Sequence, residues 1–506
     1  IILRVLYKPA MDYYYDDYDE PEGLDQYDYD RYTDSLEVQS WSNTVQICIK
    51  PSVEQTFNYI LILIGANIVC HILWNAMKHF KIESFTNHVC SIVCGFSLLY
   101  FTTNYDFLLV LFLSLMSYVL ILLIDYGRYK NIGIIVSGVT ISSHFIYEAL
   151  WSQPEAWQRI RGIQMVATMK IISIAFDLED KSYDESTKRK PAINSIPKIP
   201  ALVPYLGYIF CPATCVLGPW ISYNCYLRSM QRVCLRDYRW ICWIILNTVF
   251  AILFLCLSNC IVPQLCPDSY WKWLVSFRDA LSVRCSHYFI SFISQATLAA
   301  AGVSSNIAED HSLFFGYMVT KPWNIEFPQS LSSLVRFWNI PMHDWLKNYV
   351  FLALRRRYKS YVIALISTYI VSSLLHGFHL KIYMVLLSLS FFAYAEQVLR
   401  CKLANIFNAC ISANLCHKPC KYANCPSHSP RQWRNSILIW SINLAFSLLT
   451  VLNLTYLGIM LSNPNPTTSD DHAGKFDIKG DILKWSHLNY LSHWIAVLTY
   501  LFYYII

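Results

Sequence analysis

From residue 57 to the end, this sequence returns again and again to apolar runs that approach or reach the roughly 20 residues a helix needs to cross a bilayer. They fall at about 57–77, 87–104, 106–125, 131–151, 160–177, 200–221, 240–262, 281–301, 361–375, 378–399, 436–461 and 487–506. Inside lipid a chain must satisfy every backbone N–H and C=O internally, so runs of this length specify helices. The expected fold is all-α: a polytopic transmembrane bundle of roughly ten to twelve membrane segments. Two runs, 160–177 and 361–375, are short or interrupted and suit re-entrant or protein-buried segments.

Composition agrees. Hydrophobic residues make up 55% of the chain and charged residues 15%, against about 25% charge in an ordinary soluble domain. A single membrane-embedded domain over 57–506 accounts for the apolar runs, and residues 1–56 stand apart from it. Within that opening part, residues 12–37 are dominated by Asp, Glu and Tyr, including Tyr13-Tyr14-Tyr15-Asp16-Asp17-Tyr18-Asp19-Glu20. Self-repelling charge without aliphatic periodicity reads as a disordered acidic tail. The net charge of +6 is mild, and Lys and Arg lie in short groups between the runs. That pattern fits membrane loops and excludes a nucleic-acid-binding face.

Short cytosolic loops carry an excess of Lys and Arg. Lys78 and Lys81 follow the first run and Arg128 and Lys130 the third, while the turn at 102–106 has no basic residue. The acidic tail is therefore expected on the luminal side of the membrane and the Lys188-Arg189-Lys190 loop in the cytosol. Arg228, Arg232, Arg236 and Arg239 recur at helical intervals and suit a surface helix.

Of the 18 cysteines, Cys70, Cys90, Cys94 and Cys256 lie within apolar runs, where Cys behaves as a small buried hydrophobe. Most are expected as free thiols. Cys416-His417-Lys418-Pro419-Cys420 with Cys425-Pro426-Ser427-His428 carries soft ligands at irregular spacing. Loop thiols, a luminal disulfide, acylation of Cys410 or Cys416, and zinc all remain open there, and the expectation is no bound metal.

Two segments concentrate the chemistry. The first is Arg336-Phe337-Trp338-Asn339-Ile340-Pro341, continuing through Trp345 and Tyr349 to Arg355-Arg356-Arg357. Pro341 is unfavourable inside a helix and favourable at its start, so Trp338 and Asn339 are expected just before a helix begins. Alone, this is an interfacial helix with its aromatics at headgroup level. The second is Ser372-Ser373-Leu374-Leu375-His376-Gly377-Phe378-His379. Ionisable groups at membrane depth are expensive and mark functional sites, yet a lone histidine in an apolar helix is more often a satisfied core residue. The combination tips the balance. His376 can serve as general base to a hydroxyl. Asn339 could donate to a developing oxyanion or orient the hydroxyl. Trp338, Tyr349, Tyr369 and Ser372 are available to line a tunnel beside them.

A Trp-Asn segment followed some 35 residues later by Leu-Leu-His-Gly resembles the active-site arrangement of the membrane-bound O-acyltransferases. Leu217-Gly218-Pro219-Trp220-Ile221-Ser222, Arg284-Cys285-Ser286-His287-Tyr288-Phe289 and Lys484-Trp485-Ser486-His487 resemble the branch of that family that acylates secreted proteins. The resemblance runs from about residue 57 to the end. It implies an internal acyl-CoA tunnel and His376 with Asn339 as the catalytic pair. It further implies transfer of a palmitoleoyl group from palmitoleoyl-CoA to a serine of a secreted Wnt-type protein, in the endoplasmic reticulum membrane and among its lipids. No permanently bound cofactor is implied, and His379 receives no role. The alternatives are a lipid- or sterol-acylating member of the family and, from another class, a membrane transporter. A transporter would show internal repeats with paired broken helices, and no repeat is visible.

Overall fold

The computed structural model describes residues 41–80, 84–127, 129, 131–150, 154–187, 194–231, 238–303, 317–377, 379–411, 413, 422, 433–462 and 478–506. The acidic stretch 12–37, the Lys188–Lys190 loop and the Cys416–His428 cluster lie outside the described residues. Helical structure begins at Trp41, upstream of the boundary expected at 57, and runs into α1 (Lys50–His79).

The described residues are helical almost throughout, in the order α2 (Ser84–Thr103), α3 (Phe107–Tyr126), α4 (Ile132–Leu150), α5 (Pro154–Thr187), α6 (Leu202–Ile209), α7 (Tyr223–Gln231), α8 (Tyr238–Cys256), α9 (Lys272–Ala300), α10 (Leu331–Trp338), α11 (Ile340–Trp345), α12 (Tyr361–Leu374), α13 (Leu380–Ile406), α14 (Trp433–Gly458) and α15 (Leu491–Ile505). Six helical stretches among them are long and apolar enough to span a membrane: Trp41–His79, Phe85–Tyr126, Ile132–Ala149, Tyr238–Gln264, Leu380–Ile406 and Ile437–Leu461. The second of these breaks at the turn Asn104–Asp106 into α2 and α3, each 20 residues long. Tyr361–Leu374 and Leu491–Ile505 are shorter apolar helices.

The other expected spans take different forms because they are sheathed in protein. The 281–301 run belongs to the 29-residue α9, whose buried face carries Arg278, Arg284, Ser291, Ser294, Gln295 and Thr297. Each needs a partner, and Gln295 has two: its Nε2 donates to Asn247 Oδ1 at 2.9 Å and its Oε1 accepts from the Val319 N–H at 2.8 Å. The 160–177 run lies within α5, 34 residues long. The 200–221 run is the eight-residue α6 followed by irregular backbone. Such backbone needs outside partners at membrane depth. The buried Lys170 of α5 supplies them, donating to the carbonyls of Tyr208 and Ile209 at 2.8 and 2.9 Å and to Thr214 Oγ1 at 2.6 Å. Across the same region a Cβ on Gly95 of α2 would fall 1.8 Å from the Phe210 carbonyl oxygen. Only glycine permits that approach.

Among the described residues Cys48 and Cys260 form a disulfide joining the chain before α1 to the chain after α8.

Candidate active site

The Trp-Asn segment is fixed at both ends. At the start of α10, the Ser330 hydroxyl accepts from the Ser333 N–H at 3.1 Å and the Leu331 N–H donates to Glu396 Oε2 at 2.9 Å. Glu396 pairs with Arg400 one turn along α13 at 2.6 Å, and both side chains are almost wholly buried. Arg400 directs its other donors to the carbonyls of Gln329, at 2.6 Å, and Ile411, at 3.2 Å, and to Asn443 Oδ1, at 3.3 Å. A buried ion pair is tolerable when its leftover polar atoms find partners in this way.

At the other end of α10, the Phe337 carbonyl accepts from the Lys321 N–H and from Thr320 Oγ1, both at 3.1 Å. The Ile340 N–H donates to the Val319 carbonyl at 2.8 Å. From α9, the Arg284-Cys285-Ser286-His287-Tyr288-Phe289 motif reaches the same place. Arg284 makes a two-pronged bond to Glu326, at 2.8 and 3.1 Å, and the Tyr288 hydroxyl donates to that carboxylate at 2.6 Å. His287 lies against the Trp338 ring and bonds the Trp338 carbonyl.

Asn339 falls between α10 and α11 in extended backbone, with φ −144° and ψ 93°, and Pro341 follows inside the first turn of α11. This is the helix start that proline predicts. The Asn339 Oδ1 accepts from the Met342 N–H at 3.1 Å. A cap must present an acceptor to that N–H, which fixes the amide orientation. The side-chain NH₂ is then turned away from the cap, as a donor.

Past α11 the chain meets α5. The Trp345 indole donates to Ser173 Oγ and to the Met169 carbonyl, both at 3.0 Å, and the Trp220 indole donates to the same Ser173 Oγ at 2.8 Å. Tyr349 is buried, and its hydroxyl donates to Asp177 at 3.0 Å. Neither Ser173 nor Asp177 stood out in the sequence, being single polar residues in a mixed helix.

His376 lies just beyond α12. That helix starts after the basic group Arg355–Lys359 with Ser360 as its cap. At 1.5 Å per residue it is about 21 Å long, short of the roughly 30 Å hydrocarbon core. His376, just past its end, is half-buried. Ser372 is buried one turn earlier, and Tyr369 is half-buried. Gly377 follows with φ +74°, and a Cβ there would meet the Glu148 carboxylate at 2.5 Å and Trp157 at 3.5 Å. The glycine after the histidine is thus required twice, by its backbone and by its neighbour. Next along, His379 contacts the Arg161 guanidinium of α5 through Nε2.

One core joins the two motifs. Leu375, beside His376, packs with Met342, Trp345, Tyr349, Trp220, Met169 and Ile172. Among the described residues no hydrogen bond links Asn339 to His376. A cavity of about 240 Å³ lies alongside, bordered by Tyr59, Phe101, Arg159, Arg161, Met165 and Leu217 among others. Trp338, Tyr349, Tyr369 and Ser372 are not among its lining residues. Arg161 connects the cavity wall to the His376–His379 corner.

The bundle thus packs Met342, three residues after Asn339, and Leu375, next to His376, on one core. Residues 96–425 match the membrane-bound O-acyltransferase family, and the chain belongs to it. Over 91% of its length it is 36% identical to the protein-serine O-palmitoleoyltransferase porcupine of Drosophila melanogaster, covering 86% of that protein. It is 34% identical over 98% of its length to the porcupine of Anopheles gambiae, all of which is covered. To the human porcupine it is 30% identical over 91% of its length and 96% of that protein's. Membership of this family sets aside the transporter alternative.

Proposed function

We propose that this chain transfers a palmitoleoyl group from palmitoleoyl-CoA to a serine hydroxyl of a secreted Wnt-type protein. The observation that carries the reading is near full-length similarity to serine O-palmitoleoyltransferases, in a chain where Leu375, beside His376, and Met342, capped by Asn339, share one core. His376 accepts the serine proton as the serine oxygen attacks the thioester carbonyl. The carbonyl oxygen takes up negative charge, and the Asn339 NH₂ donates to it. Collapse of the intermediate breaks the carbon–sulfur bond, and the proton held on His376 passes to the departing sulfur, so that coenzyme A leaves as the thiol and the histidine is neutral again. One such donor is typically worth about 3 kcal/mol in the transition state. The donor thioester is a substrate, and the reaction needs no resident cofactor.

The geometry favours the donor role for Asn339 over a hydroxyl-orienting one, because its carbonyl oxygen is committed to Met342. Trp338, Tyr369 and Ser372 flank this centre as acyl-chain contacts, while Tyr349 braces it through Asp177. The site works in the endoplasmic reticulum membrane, with the N-terminal side luminal. The Cys48–Cys260 disulfide supports that orientation, since such bonds persist in oxidising compartments.

The test is purified chain in lipid vesicles with palmitoleoyl-CoA and a serine-containing Wnt peptide, read by mass spectrometry. An acyl ester on the serine, absent with His376→Ala, is the expected product. Transfer to a lysophospholipid with none to the peptide would overturn the reading.

A further inference from the structure

Three thiols meet in the packed interface of α1 and α2, in a different core from the one that holds Leu375 and Met342. Cys90 and Cys94 lie one turn apart on α2 and face Cys70 of α1, and the three sulfurs all lie within 4.8 Å of one another. Cys70 and Cys90 are buried and Cys94 is half-buried. Isolated buried cysteines need no explanation beyond packing. Convergence of three sulfurs on one point does. At a metal–sulfur distance of about 2.3 Å, trigonal ligation sets sulfurs about 4 Å apart, so a small inward movement closes the triangle.

We propose that Cys70, Cys90 and Cys94 bind a soft monovalent cation, copper(I), and clamp α1 to α2. Three arguments select this ion. Sulfur-only ligands suit copper(I). Zinc favours four ligands, and among the described residues only three potential ligands gather here. Charge decides the third. Copper(I) bound by one thiolate and two thiols releases one proton and leaves a neutral centre, whereas a divalent ion with the same ligands must shed two protons or remain charged in a dry interior.

Access is short. At 1.5 Å per residue Cys70 lies roughly 13 Å from the His79 end of α1, and Cys90 roughly 9 Å from the Ser84 end of α2. Those ends are adjacent, and in the orientation proposed above they face the cytosol. That compartment keeps thiols reduced, and reducing conditions hold copper in its monovalent state. Only this access argument rests on the proposed orientation; the site itself is independent of the acyl-transfer reading.

The experiment titrates copper(I) into the purified, reduced full-length chain against the chelator bicinchoninate, in a background carrying Cys416→Ser, Cys420→Ser and Cys425→Ser. One copper(I) per chain should be retained. Cys94→Ala and Cys90→Ala should each lose it while keeping acyl transfer and the melting transition of the copper-free wild type. Cys94→Ala, at the half-buried position, keeps the test open should the others fail to fold. Equal copper retention in the variants, tighter retention of zinc than of copper, or a Cys70 disulfide to either partner in the freshly purified chain would each overturn the proposal.

Discussion

His287 lies flat against Trp338, ring centroids 4.4 Å apart and planes 10° apart, with its Nε2 2.8 Å from the Trp338 carbonyl oxygen. The histidine thus holds both the side chain and the backbone of the residue before Asn339. His287→Phe should keep the stacking and lose the hydrogen bond; His287→Ala should lose both. We expect turnover to fall in the order wild type, Phe, Ala, with acyl-CoA affinity changed less than twofold. Steady-state kinetics beside acyl-CoA binding separates the two. A fall in affinity equal to the fall in turnover would show general unfolding instead.

Asn339 performs two tasks with two atoms, so two substitutions separate them. Asn339→Ala removes cap and donor together, with a loss of about 1 kcal/mol in stability and roughly a hundredfold in turnover. Asn339→Asp supplies a cap acceptor and no donor. Its melting temperature should match wild type while its turnover falls as far as that of the alanine variant. Wild-type turnover in Asn339→Asp would instead favour the hydroxyl-orienting role.

The two histidines near α12 should differ sharply. His376→Ala should abolish transfer and leave acyl-CoA binding intact. His379→Ala removes the Arg161 contact at the cavity wall and should slow the reaction without stopping it. A single assay on both purified proteins decides this: activity in His376→Ala with none in His379→Ala would exchange their assignments.

Glu396→Ala should destabilise the bundle by about 3–5 kcal/mol, because Arg400 is left charged and unpaired among Phe446, Gln329 and Ile411. Replacing both with Leu and Met should recover much of that loss. Thermal unfolding in detergent reads both. An intact melting transition in Glu396→Ala would mean the pair carries little of the α10 anchoring.

For the topology, protease added to sealed microsomes should leave the acidic tail uncut until detergent is added and should cut the Lys188–Lys190 loop at once. Cleavage of the tail in sealed vesicles would reverse the orientation.

The sequence made the bundle legible wherever a helix faces lipid, because length and apolarity are then both required. It also located the Asn339 helix start, since Pro341 acts locally. Legibility stopped where a helix is wrapped in protein. Residues 200–221 look like a span, but the backbone is broken there, and the ammonium that satisfies it sits on α5 at Lys170. The pairs Arg161–His379 and Asp177–Tyr349 span 218 and 172 residues of chain. No local pattern announces a contact at such distance. The helix before residue 57 was hidden for a different reason: residues 41–56 are polar enough to read as part of the tail.

The Ser173 hydroxyl accepts from two indoles and donates to the Met169 carbonyl at 2.6 Å. Its hydrogen-bonding capacity is thereby full. Inheritance feels this constraint as much as folding does. A mutation at Trp220 leaves one of the serine's two acceptor positions empty, and one at Ser173 leaves the Trp220 indole without its acceptor. Across relatives that diverge at this spot, Trp220, Ser173 and Trp345 should therefore change together, as one heritable character written at three distant places in the gene.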